Sequence, residues 1–569
     1  MAKEANNEKL VKKPVNSLIY MFIYIILAMI IVVGIKSIMK KEEPVSIATN
    51  DAEIFYYNNN YDAAIKEYEI LQGKEEWPQY EMEIAKMYSA KGDFIKSNET
   101  LLEVYEARNK SIDDGKIGKY TEEDENLVRQ ILFTAYINGD LEKALEYCEV
   151  FMMDYKENKE ILNIEFMIYM VNGKEQKANE ILDSYPLENA TSTELSKLSR
   201  MNALIGKYED TFGLLEKAWN IDNNDILIMD TIGYIYSGNK ELVLDELKKY
   251  YKNDKNNEFY NICLAKIYSL NTEDSLKGLS MVENFEDRYK DNLNIMFIKA
   301  QLLHNDKQYD ESEQTLKIIY EQNKDTYIGH YAKAINYYNI GKYEMAFNES
   351  KRSILLNRDY FCNYGILIPK ILDKLKQNEK IEPYFRDALE IEPYNCKLIR
   401  QIAEYYKDVV NENSKSLYYY ELLFKINSED ASSLYEIGRI KINTQRIDEA
   451  VEIFEKCMEI DKENSDYNRA IGAIYLNEEK NDKAIKEIRE AYSKNEEDIL
   501  NLNNAGCYYI SVEHNIGRSL TNFKAAYDGI NENTTDEEIK IIVENYNRVR
   551  ALDKESKVTL TITDFKLFY

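Results

Sequence analysis

Nine side chains limit what metal, redox or nucleophile chemistry this chain could perform: Cys148, Cys263, Cys362, Cys396, Cys457 and Cys507, with His304, His330 and His514. A zinc knuckle or a redox pair needs two Cys within a few residues, and a metalloprotease helix needs two His one turn apart. None of these spacings occurs. The phosphate-cradling GxxxxGK[ST], a GxGxxG after a strand and the GxSxG nucleophile turn are absent too. The 101 Asp and Glu supply many conceivable acid–base pairs, but on amphipathic helices such residues form a solvated face. We therefore expect no catalytic, cofactor or metal site, no small-molecule substrate, and Cys148, Cys457 and Cys507 as core residues. The rival from another class is an enzyme, or an enzyme subunit, with a cryptic site.

Charge narrows the partners. With 73 Lys and Arg against 101 Asp and Glu, the net charge of −28 repels a phosphate backbone, so nucleic acid is excluded as a general ligand. Only 7 Pro and 20 Gly occur in 569 residues, too few breakers for a loop-rich β fold. The chain reads as all-helical.

The elements that would carry any site recur. From Val45 to Gly529 the sequence repeats every 33 to 35 residues as two short helices joined by a turn. Leu434, Ile437, Gly438, Ala450, Phe454 and Cys457 are followed by Ile471, Gly472, Tyr475, Ala484, Ile488 and Ala491, with Gly438 to Gly472 and Ala450 to Ala484 each spaced by 34. Starts near 45, 78, 125, 159, 192, 226, 258, 293, 327, 361, 396, 431, 465 and 499 give about fourteen units. Small residues fall where paired helices must approach closely, and Tyr or Leu fills the space between units. Tyr88, Tyr268, Tyr337, Tyr475 and Tyr509 are expected at such packing positions. Four units depart from the pattern in ways that imply distortion: Pro369 replaces a small residue, the unit at 226 is short, and the units at 396 and 499 carry one extra residue.

The pattern Leu434 to Gly438 followed by Ala450, Phe454 and Cys457 resembles the tetratricopeptide repeat family. The resemblance implies a right-handed α-solenoid in which the first helix of each unit lines a concave surface that takes up peptides or partner helices. Projected onto that face, the central units place Phe133, Met167, Met170, Phe259, Ile328, Tyr331 and Ile335 there, implying an apolar groove. The later units place Lys397, Arg400, Arg439, Arg469 and Asn503, a local reversal of sign. Family members grip a peptide's terminal carboxylate with Lys, Arg and Asn on this face, and Arg can hold a carboxylate by two parallel hydrogen bonds. A partner with an acidic segment or a free carboxyl terminus would suit it. The alternative is that these Arg side chains pair with Asp or Glu of adjacent units.

Flanking segments complete the expected organisation. Residues 1–13 form a short basic tail and 14–38 an apolar run long enough to cross a bilayer as one transmembrane helix. A cleaved signal peptide is the alternative, but no small-residue cleavage site follows. The flanking Lys counts, four before against three after, favour an anchored protein with extracytoplasmic repeats. Residues 45–111 hold the first two repeats, 112–124 a polar loop, 125–532 twelve more repeats, and 535–552 a capping helix begun by Thr535 and Glu538. Residues 557–569 alternate like a strand, to fold back, fray or pair with another protein. The function expected is a membrane-anchored scaffold for protein partners, or alternatively a part of an envelope assembly or export machine.

Overall fold

A computed structural model describes residues 44–72, 77–255, 257–285, 288–552 and 560–569. Two units are distinguished, 1–46 and 47–569, and the second carries the described fold. It is an all-helical solenoid with 29 α-helices among the described residues, from Asp51–Tyr56 to Asp536–Arg550. They fall into fourteen successive pairs and one final helix. Paired helices such as Tyr327–Asn339 with Tyr343–Leu356, and Ser465–Asn477 with Asn481–Lys494, pack along their lengths.

The expected architecture, a solenoid preceded by a transmembrane helix, is corrected. No helix among the described residues is long and apolar enough to cross a membrane. The expected anchor over 14–38 lies outside the described residues. What stands is the helical solenoid itself.

Most units turn between their helices in the same way; those that begin with Leu227–Gly238 and Glu258–Ser269 instead pass through Asn239 and Asn271, at φ −150° and −120°. The residue after the first helix is left-handed at Gly92, Gly139, Gly173, Gly206 and Gly341, with φ between 65° and 87°. In later units Lys307, Lys376, Asn411, Gln445, Glu479 and His514 occupy the equivalent position with φ between 52° and 63°. At the turn after Ser465–Asn477, the Glu479 and Lys480 amides donate back to the Leu476 and Tyr475 carbonyls, at 3.2 and 2.8 Å. These bonds use carbonyls that a helix end leaves orphaned.

Small residues sit where paired helices meet. A Cβ added at Gly438 would lie 2.5 Å from the Phe454 ring, and one at Gly506 would lie 2.9 Å from Phe523. Tyr88, Tyr268, Tyr337, Tyr475 and Tyr509 are half-buried near the ends of first helices. Each carries a Lys or Arg over its ring, at 5.4 Å for Lys96 on Tyr88 and 5.4 Å for Arg518 on Tyr509.

Two first helices contain wide π turns, Asn363–Leu367 and Tyr405–Val410. The former leads directly into Pro369, whose missing N–H cannot close an ordinary turn. The latter lies in the unit with one residue too many, and a π turn absorbs one residue without ending the helix. The last helix begins with the Thr535–Glu538 capping box. Residues 560–569 contain no strand; after a short 3₁₀ turn, Ile562–Asp564, they run extended.

Candidate functional site

The expected apolar groove is not an open surface. Phe133, Met167, Met170 and Phe259 are buried. The chain itself covers much of this face, because the segment from Ile381 to Asn395 runs along the first helices of several early units. Tyr56 donates to the Pro383 carbonyl at 3.0 Å, and Tyr56 and Tyr57 donate to the two oxygens of Asp387, each at 2.8 Å. Lys86 and Arg129 both pair with Glu390 at 3.1 Å. Tyr136 and Tyr234 donate to the Pro393 and Tyr394 carbonyls. Helix Asn413–Ile426 packs on helix Lys159–Val171, and Tyr418 donates to the Ile137 carbonyl at 2.7 Å.

Of the remaining apolar positions, Ile328, Tyr331 and Ile335 are half-buried. Tyr331 and Ile335 line a cavity of about 340 Å3 with Phe297, Met229, Lys266 and Lys370. Lys397 stands near Lys370 and Lys266; partial loss of hydration, then repulsion by those two ammonium groups, lowers its pKa. Asp387, Glu390 and Glu392 of the same chain pair with residues of these first helices, which no local sequence pattern announced.

The three Arg residues pair with acids of their own or adjacent units. Arg400 meets Asp430 at 2.5 Å, and Arg439 meets Glu436 at 2.9 Å. Arg469 is buried and meets Asp466 at 2.6 Å and Asp498 at 3.3 Å. Glu436 is also held by Lys407 at 2.8 Å. A buried Arg with two carboxylates is already charge-compensated and gains little from a third.

Asn503 leads to a different kind of site. It lies buried on helix Ile499–Ser511, beside Asn504 and facing Asn545 of helix Asp536–Arg550. Between these helices runs the extended stretch 565–569. The Asn545 side-chain amide donates to the Lys566 carbonyl at 2.8 Å and accepts from the Lys566 N–H at 3.3 Å. Two residues on, Asn504 donates to the Phe568 carbonyl at 2.7 Å and accepts from the Phe568 N–H at 3.0 Å. Asn503 adds a donor to the Lys566 carbonyl at 3.3 Å and accepts from Asn545 at 3.0 Å. Tyr435 donates to the Tyr569 carbonyl oxygen at 2.7 Å, and Asn477 donates to the Tyr569 hydroxyl.

Alternate residues of an extended chain present N–H and C=O on one edge, which is how a neighbouring strand pairs with them. Here two side-chain amides stand in for that neighbour. An Asn amide carries one acceptor and two donors and so can satisfy both groups of a residue at once. The sequence signal was the Asn501-to-Asn504 cluster, in which Asn503 and Asn504 adjoin on one helix: Asn is a poor helix former, and a buried pair needs polar partners.

Apolar side chains of the same stretch enter three successive core clusters. Phe565 stacks on Phe523 with ring centroids 6.0 Å apart, and Leu567 joins that cluster. Phe568 packs with Leu502, Ala526 and Ile542. Tyr569 packs beside Phe454 and Ala470 in the unit that most closely follows the repeat pattern.

Residues 431–464 match the sequence model of the tetratricopeptide repeat. The Tyr435 hydroxyl that holds Tyr569 therefore belongs to the matched tetratricopeptide unit. Solved structures with a similar fold include the APC/C hetero-tetramer Cut9–Hcn1, 12% identical over 87% of this chain and 95% of that one, with a TM-score of 0.35. Yeast Tom70 is 14% identical over 83% and 94%, with a TM-score of 0.32. YrrB, a tetratricopeptide protein with an unusual peptide-binding site, is 18% identical over 33% and 97%, with a TM-score of 0.28. No curated protein matches the chain.

The thiols are withdrawn from solvent to different degrees. Cys148, Cys263, Cys362, Cys457 and Cys507 are buried and Cys396 is half-buried, all without disulfides. Burial pushes the Cys396 and Cys457 thiols up to about 12, away from the thiolate a nucleophile needs. Among the described residues, no group of three or more His, Cys, Asp or Glu is placed to hold a metal ion.

Proposed function

We propose that the chain is a protein-binding scaffold whose last units take up an extended polypeptide segment on their first-helix face. The observation that carries this reading is the two-point pairing of Asn545 with Lys566 and of Asn504 with Phe568. It supplies affinity for main chain, while the apolar clusters beside it supply selectivity for side chains, the division of labour found when a strand is added to a sheet edge. Surface presentation, not reaction, is then the mechanism.

The reading is tested with a decapeptide of the sequence 560–569, titrated into the full chain carrying Phe565→Asp and Leu567→Asp so that the groove is vacated. Saturable binding is expected, and a loss of at least tenfold when Asn504 and Asn545 are also replaced by Ala. Binding indifferent to both Asn residues refutes the site.

A further inference from the structure

We infer that residues 560–569 are a resident occupant of the groove, and that a partner segment reading aromatic, any residue, then three apolar or aromatic residues must displace them. This rests on the reading above and adds its regulation and the partner's pattern. The pattern follows from which side chains are held: Phe565 against Phe523, Leu567 in the same cluster, Phe568 against Leu502 and Ile542, and Tyr569 beside Phe454. Lys566, whose main chain is paired, leaves its side chain exposed beside Glu544 at 3.3 Å, so the second position carries no such demand.

The seat is one that can be vacated. Of the ten residues only Ile562 and Phe565 are buried, and the other eight stay exposed or half-exposed. By contrast, the Phe523 and Phe454 side chains that receive them are fully buried. A cavity of about 600 Å3 adjoins Tyr569, lined by Tyr435, Arg439, Leu500, Thr535 and Ile541. Leu567 and Phe568 line the same cavity, so it opens along the flank of the segment. A competitor can engage this cavity while the resident is still seated at Phe523, and main-chain pairing through Asn504 and Asn545 is available to any sequence. A tethered occupant competes at an effective concentration set by its short link, so it weakens every free competitor without changing the groove.

The experiment compares binding of the labelled 560–569 decapeptide by fluorescence anisotropy to the unsubstituted full chain and to the Phe565→Asp, Leu567→Asp chain. A Lys566→Pro chain, which loses the N–H donated to Asn545 and the Glu544 ion pair, serves as a second variant, and helicity is checked by circular dichroism. The expected result is that both variants bind the peptide at least tenfold more tightly than the unsubstituted chain. Equal affinity in all three chains, with dependence on Asn504 kept, overturns the resident-occupant inference and leaves the binding reading standing. Absence of binding in all three overturns both. A dimer that forms only with the unsubstituted segment overturns occupancy in cis in favour of exchange between copies.

Discussion

Arg200 donates to Glu392 at 2.5 Å across 192 residues of sequence, and water reaches neither side chain. The Glu392 carboxylate also accepts from Asn395 at 2.9 Å, and the Arg200 Nε donates to Thr231 at 2.9 Å. This pair joins an early unit to the segment laid across it. Removing one partner strands a buried charge, which costs about 3–5 kcal/mol. Arg200→Ala or Glu392→Ala should lower the thermal midpoint markedly, whereas Arg200→Met combined with Glu392→Leu should recover much of the loss. Melting of the three variants decides this.

Asp387 makes the same junction sensitive to pH. Burial pushes its carboxyl up to about 7, against the pull of the Tyr57 hydrogen bond, the Lys86 charge and the Tyr56 hydrogen bond. An unfolded Asp titrates near 4, so between roughly pH 4 and 7 the folded chain binds more protons there than the unfolded one. The stability from this group is present in full below pH 4 and is lost as pH rises through about 7. Asp387→Asn should flatten the fall in thermal midpoint between pH 5 and 8 relative to the unsubstituted chain. Parallel curves would show that Asp387 titrates normally.

Glu165 lies fully buried on helix Lys159–Val171, with neither side-chain oxygen hydrogen-bonded. Burial alone pushes it up to about 8. Removing an unpartnered buried polar group gains on the order of 1–3 kcal/mol. Glu165→Met should therefore raise the midpoint at pH 7, and raise it further at pH 9, where the carboxyl must ionise or force the site open.

How much of this was legible follows from particular residues. Gly438, Ala450 and Phe454 announced the helix pair because close approach leaves few alternatives, and a spacing of 34 multiplied that signal across the chain. The left-handed turn was legible at Gly341 but not at Lys307 or Glu479, exposed residues whose turns are closed by main-chain bonds such as Gln308 N–H to Leu303 and Lys480 N–H to Tyr475 in a conformation an L side chain disfavours. Pro369 and the extra residue of the unit at 396 signalled distortion, although not its form as π turns. The partners of Asn503 were not legible, since Lys566 and Asn545 lie 63 and 42 residues further along the chain. Phe133 and Met167 read as a groove because periodicity tells which face is apolar, not what covers it.

The disfavoured turns offer a direct check on that account. Glu479→Gly and Lys307→Gly relieve a left-handed backbone at the cost of unfolded-state entropy, for a net gain of about 0.5–1 kcal/mol each. Gly438→Ala does the reverse: its Cβ would press within 2.5 Å of the Phe454 ring and should cost about 1–3 kcal/mol. Denaturant midpoints of the three variants should move in these opposite directions.

The central claim is that the last units hold extended chain by its main-chain groups. Hydrogen–deuterium exchange at the Lys566 and Phe568 amides of the full chain measures this most directly, because those two N–H groups face Asn545 and Asn504. Slow exchange is expected at both, rising to free-peptide rates when Asn504 and Asn545 are replaced by Ala. Free-peptide rates in the unsubstituted chain would contradict the claim.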